Sequence, residues 1–189
     1  MPVTAANLIQ GAATLYTGAF GATEPTDAQI ASAPAVAWTD VGATVGGVAI
    51  RVNYSYAELE ADQLVDVPAR TLTKREFMVV TQLAEPTLAM FKLATNTEAA
   101  VVSVPGPPAV TTLEPDATAA AVQPTYMALL IDGVAPNTDK RRRIIVRRAL
   151  MVAQFEMAYQ KDGQTVIPVE FHAHHVSDSI RPWKIIDQT

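Results

Sequence analysis

The chain contains no cysteine, which excludes disulfides, thiolate nucleophiles and sulfur-ligated metals and leaves the redox compartment open. Charge is scarce as well. Charged residues make up 17% of the sequence, against roughly 25% in an average soluble domain, a shortage expected where partners cover part of a surface. Basic residues are outnumbered, and the formal net charge is −5. A general nucleic-acid binder needs a basic face to neutralise phosphates, so this balance fits a surface that nucleic acid slides past. No apolar run approaches the ~20 residues of a membrane-spanning helix. Residues 1–21 lack a basic leader and a long apolar stretch, so no signal peptide is expected and the chain reads as a soluble product of a cytoplasm.

Catalytic signatures are missing too. There is no nucleophile elbow and no phosphate-cradling loop; Gly42, Gly46 and Gly47 precede a strand rather than a helix, the wrong context for a phosphate site. Acidic residues gather in one loop, with no sign of the cleft that paired-carboxylate hydrolysis needs. The expectation is a protein that is not an enzyme, with no cofactor. His172 and His174 sit two apart on a strand, with Glu170 on the same face. That spacing occurs in zinc sites, but no second cluster of ligands supports it, so an ordinary polar strand face is the simpler reading and no metal is expected.

What the chain does have is strand pattern. Half of its 189 residues, 49%, are hydrophobic, enough for a substantial core in one domain. Residues 45–57 alternate Val48, Ile50, Val52, Tyr54 and Tyr56 with Ala49, Arg51, Asn53 and Ser55, which predicts a strand with one buried and one polar face. An acidic loop follows, with Glu58, Glu60, Asp62, Gln63, Leu64 and Asp66. Residues 71–83 are apolar on both faces around Met78 and Val80, as in a strand covered on both sides. Glu85-Pro86-Thr87 then starts a short helix that ends near Asn96. Further strands are expected over 100–104, 126–132 with a turn at Asp132-Gly133, and 142–160, where Met151, Ala153, Phe155, Met157 and Tyr159 share one parity. Asp162-Gly163 signals a hairpin returning through 165–175. About seven strands and one helix make a mainly-β fold, a β-sandwich or partly closed barrel with one short flanking helix.

Three regions bracket that pattern. Residues 1–37 are rich in small residues and read as an N-terminal arm, with a short helix expected between Pro25 and Ile30; 38–176 hold the β-rich domain; 177–189 form a C-terminal tail. Within the domain a proline-rich stretch at about 104–124 reads as an inserted loop. Lys140, Arg141, Arg142 and Arg143 form the main basic run. It reads as a charged start to a strand that pairs with acid, and in an assembly the acidic loop of a stacked neighbour would supply that acid. A ring would also pair the long strand edges that are an aggregation hazard in a monomer.

The order of these pieces from Trp38 onward resembles the major tail tube proteins of long-tailed bacteriophages. The resemblance is carried by Val41-Gly42-Ala43-Thr44 and Gly46-Gly47-Val48, by the loop from Glu58 through Asp62-Gln63, by residues 70–83 followed by Glu85-Pro86-Thr87-Leu88, and by the hairpin at Asp162-Gly163 ending in His172, His174 and His175. It implies six copies in a ring whose joined sheets make an inner β-barrel, with rings stacked into a hollow tube that passes double-stranded DNA without specific binding. Inter-ring contact is then expected at Glu58, Glu60, Asp62, Gln63, Leu64, Arg142 and Arg143, and at the arms. The lumen is expected to be lined by Arg51, Asn53 and Ser55, or by Glu170, His172 and His174. Implied partners are other copies of the chain, a tape measure protein inside the tube, and tail tip and terminator proteins at its ends, with no membrane. The implied location is the virion tail, assembled in the host cytoplasm. Two other readings stay open: a tail terminator or head–tail connector subunit, and a non-viral β-sandwich binding module that displays the proline-rich loop.

Overall fold

A computed structural model describes residues 4–60, 62–97, 101–116, 124–137, 140–154 and 156–188. The fold is mainly β. Ten strands are present among the described residues: β1 (Thr14–Ala19), β2 (Trp38–Asp40), β3 (Thr44–Leu59), β4 (Ala69–Leu83), β5 (Val102–Val104), β6 (Val110–Thr112), β7 (Met127–Val134), β8 (Arg141–Met151), β9 (Ile167–Ala173) and β10 (Trp183–Asp187). One α-helix, α1 (Leu88–Thr95), follows β4. The main sheet is antiparallel in the order β2-β1-β7-β8-β9-β4-β3, with β10 also on β8, and β5 pairs only with β6. The sheet does not close into a barrel within one chain.

The core explains the topology. Leu15, Leu129, Ile131, Ile144 and Val146, from β1, β7 and β8, share one buried cluster with Phe77, Val79, Val169 and Phe171 from β4 and β9. The sheet therefore curls around a common core across β8, and α1 covers part of it with Ala94, Met90, Phe91 and Leu93. A smaller cluster of Trp38, Ala128, Leu130 and Ile145 packs on the other face, against Tyr16, Ala22 and Ile186. The helix begins where the sequence predicts. Thr87 caps it by accepting a hydrogen bond from the Met90 N–H (3.3 Å), and Asn96 ends it in the left-handed conformation. Just upstream, Gly42 has φ +85°, and a Cβ there would lie 2.8 Å from Glu85 Oε1. That carboxylate accepts the Ala43 N–H, so only glycine fits the approach of α1 to β3.

Several elements differ from the sequence expectation. The segment read as an arm contributes β1, whose Leu15 is fully buried, and only a 3-10 turn, Asp27–Gln29, where a helix was expected. The C-terminal segment contributes β10, whose Trp183 stacks on Phe77 with ring centroids 4.9 Å apart. Asp132-Gly133 lies inside β7 rather than in a turn, because Asp132 faces Arg143 across the ladder; the chain turns after Val134, where the Ala135 N–H bonds Lys140 O. The strand expected over 100–104 is present as β5, with Ala100 outside the described residues, and its unexpected partner β6 lies in the proline-rich stretch.

β8 stops at Met151, well short of residue 160, and its ladder with β9 is brief: Ala149, Leu150 and Met151 against Ala173, His172 and Phe171. Pro168 supplies the reason. Glu170 turns its carbonyl to the Val152 N–H, so the backbone of Pro168, two residues away, faces β8 as well. Proline has no N–H to donate there, and the ladder ends.

Candidate assembly surface

β3 and β4 form one long antiparallel hairpin whose distal part leaves the sheet. Met78–Leu83 of β4 pairs with both β3 and β9, whereas the stretch before Met78 pairs only with β3. β3 is the last strand of the sheet, so its outer backbone edge is unpaired among the described residues over 16 residues. At ~3.3 Å per residue that edge is roughly 50 Å long. An unprotected edge of this length is a ready template for another chain.

Nor does β3 have the buried face that its alternation predicts. Every residue from Ala49 to Leu59 is exposed, both parities alike. Tyr54 and Tyr56 stack on each other, with centroids 6.4 Å apart, yet remain 51% and 55% exposed. Ile50, Val52, Leu59 and Leu72 are also exposed, as are Leu64, Val65 and Val67 at the tip. Scattered apolar residues on a surface need no explanation; a contiguous set of this size marks an interaction site. The alternation was legible in the sequence, but the absence of any covering layer was not.

Glu58, Glu60, Asp62, Gln63 and Leu64 sit at or beside the tip and are exposed. Glu58 is joined to its cross-strand neighbour Arg70 by a 2.7 Å ion pair. Nearby, Lys74 hydrogen-bonds Glu76 (2.6 Å) and holds that carboxyl below its usual range.

Arg142 and Arg143, expected to meet this loop from a neighbouring ring, are engaged inside their own chain. Arg142 makes two 2.6 Å bonds to Asp187 of β10, which raises the arginine's pKa and lowers the aspartate's. Arg143 is 1% exposed, clamps Asp132 and donates to the carbonyls of Gln29 and Ser32. It is a tie between β8, β7 and the N-terminal segment, with no surface to offer another subunit. Arg147 bonds Glu24 in the same way, and Lys184 bonds Asp27 at 2.6 Å. The basic run thus finds its acids across the ladders and in the N-terminal segment. The sequence alone does not point to these partners, because they lie up to 123 positions away along the chain.

The two sets of residues expected to line a lumen come together. One ladder row runs Arg51, Met78, His172, Leu150 across four strands. Asn53 lies opposite Glu76, Ser55 opposite Lys74, and Glu170 opposite Val80. Directly opposed residues share a sheet face, so Arg51, Asn53, Ser55, Glu170 and His172 lie on one largely polar face that also holds Met78, Val80 and Leu150. Its charges are mixed, with Arg51 and Lys74 beside Glu76 and Glu170. His172 Nε2 is 3.0 Å from Glu170 Oε1.

His174 lies beyond the end of β9 and packs edge-on against Tyr126 (5.3 Å). The Arg148 guanidinium stacks over the same Tyr126 ring at 3.8 Å and donates to His175 O. Burial first, then Arg148 and His172, hold His174 below its usual pKa. The three histidines therefore do not converge, and among the described residues no group of three or more His, Cys, Asp or Glu side chains is placed to hold a metal ion. A cleft of about 520 Å³ between α1 and strands β1, β2 and β7 is lined by Thr17, Thr39, Met90, Leu93, Asn96 and Met127, and Lys92 is the one titratable group among the described residues that line it. No helix among the described residues is long and apolar enough to cross a membrane.

No curated protein matches the chain. A family model for the phage tail tube protein matches residues 4–189, nearly its whole length. The chain belongs to the phage tail tube protein family.

Proposed function

We propose that copies of this chain associate into closed hexameric rings, that the rings stack into the hollow tube of a phage tail, and that double-stranded DNA passes through it during ejection. The observation that carries the reading is the β3–β4 hairpin, whose 16-residue edge strand is exposed on both faces from Ala49 to Leu59 and, among the described residues, unpaired along its outer side. Such a strand is costly in an isolated chain and is accounted for if neighbouring copies cover it.

In the ring the curled sheets of successive copies join edge to edge into an inner barrel. The acidic, apolar-flanked tip carrying Glu58, Glu60, Asp62, Gln63 and Leu64 reaches the next ring. The polar face of Arg51, Asn53, Ser55, Glu170 and His172 lines the channel, with His174 near it. A face of mixed charge on a chain of net charge −5 gives phosphates no continuous basic track. A tape measure protein occupies the channel before DNA does, and tip and terminator proteins close the ends. Assembly takes place in the host cytoplasm, and the product is a structural part of the virion without catalytic activity.

Negative-stain electron microscopy of the purified, concentrated protein tests this. Hollow rods or stacked rings are expected. Rings that never stack would point to a terminator or connector, and a chain that stays monomeric would contradict the reading.

A further inference from the structure

Beyond Met151 the described residues of 152–159 belong to no strand and have no ladder partner. Ala153 and Met157 are half-buried on the core cluster, while Val152, Gln154, Glu156, Ala158 and Tyr159 are exposed. Past the Val152 N–H bond to Glu170 O, no β-ladder forms over the described part of this segment. Pro168, facing this segment from the returning strand, has no N–H to donate to it. Among the described residues this segment lacks a ladder partner, and the outer side of β3 is the longest unpaired strand edge.

We infer that the two fill each other between copies: residues 152–159 of one subunit add as a strand to the outer edge of β3 of the next. This rests on the ring assembly proposed above and names the surfaces that make it. Eight residues span about 26 Å, which β3 accommodates in full. Charge sets the register. Glu156 is the sole charged residue of 152–159 and Arg51 the sole basic residue of β3; both are exposed, and opposite charges facing each other across paired strands favour that alignment. The contact is head-to-tail, the kind that closes into a ring, and the main-chain bonds it adds are those of β-strand addition.

The absence of native cysteine makes the test clean. Full-length Arg51→Cys and Glu156→Cys are prepared separately, mixed under assembly conditions and treated with a short bifunctional thiol reagent. A cross-linked dimer is expected from the mixture, at several times the yield from either variant alone, and not from a doubly substituted monomer at dilution. In parallel, Arg51→Glu and Glu156→Arg should each raise the concentration needed for assembly about threefold, the scale of one cross-strand charge pair, and the double reversal should restore it. Assemblies seen by electron microscopy without the mixed cross-link, and without rescue by the double reversal, would overturn this pairing and leave the ring proposal standing. No assemblies from the unmodified chain would remove both.

Discussion

Arg143 clamps the carboxylate of Asp132 directly across the β8–β7 ladder with two 2.6 Å bonds, in a pocket where the arginine is 1% exposed. The same guanidinium donates to Gln29 O and Ser32 O. One side chain therefore fastens the N-terminal segment to the outer face of the sheet. Arg143→Ala leaves Asp132 buried and uncompensated and should cost about 3–5 kcal/mol. Replacing both residues by alanine should cost less than Arg143→Ala alone. Chemical denaturation of the two single variants and the double variant measures this.

Stability should fall on mild acidification through His174. Its folded pKa lies below the ordinary 6.5 because of burial, then Arg148 and His172. A base with a depressed folded pKa binds its proton more readily when unfolded. The favourable contribution is complete above about pH 6.5 and is lost as the pH falls from there through the folded value. Asp187, held below its ordinary 3.8 by Arg142, acts only in a lower window. His174→Gln should reduce the loss of melting temperature between about pH 7.5 and pH 5, and thermal melts at the two pH values check it.

Tyr54→Ser with Tyr56→Ser should separate folding from assembly. Both rings are more than half exposed and stack on each other. The free chain should change in stability by no more than about 0.5 kcal/mol per site, while assembly followed by light scattering should weaken severely.

Gly42→Ala should destabilise the free chain by about 1–3 kcal/mol. Its φ of +85° is strained for any L side chain, and the added Cβ would press on Glu85 Oε1 at 2.8 Å. The N–H of Ala43 that Glu85 holds should then exchange faster with solvent, which amide exchange reads directly.

Period-two patterning made most of the main sheet legible in the sequence. β3, β4, β7, β8 and β9 fall where alternation of apolar residues puts them, and α1 starts at its Thr87 cap. Short strands escaped notice: β1, β2 and β10 are 3–6 residues long and owe their place to one anchor each, Leu15, Trp38 and Trp183. Alternation also cannot say whether a covering layer exists, so the inward face expected of Tyr54 and Tyr56 is in fact open. β8 ends before its alternation does, for a reason visible only in register: the backbone of Pro168 faces β8 and has no N–H to donate. Of the expected site, the tip residues Glu58 to Leu64 are exposed, whereas Arg142 and Arg143 are consumed by Asp187 and Asp132.

The central claim is that the outer edge of β3 is completed by other copies. Residue-level amide exchange along Thr44–Leu59, in the free chain and in purified assemblies, tests it most directly. In the free chain, the amides of β3 that point away from β4 should exchange quickly. In assemblies they should become as slow as those bonded to β4. Rapid exchange of the same amides in intact assemblies would contradict the account.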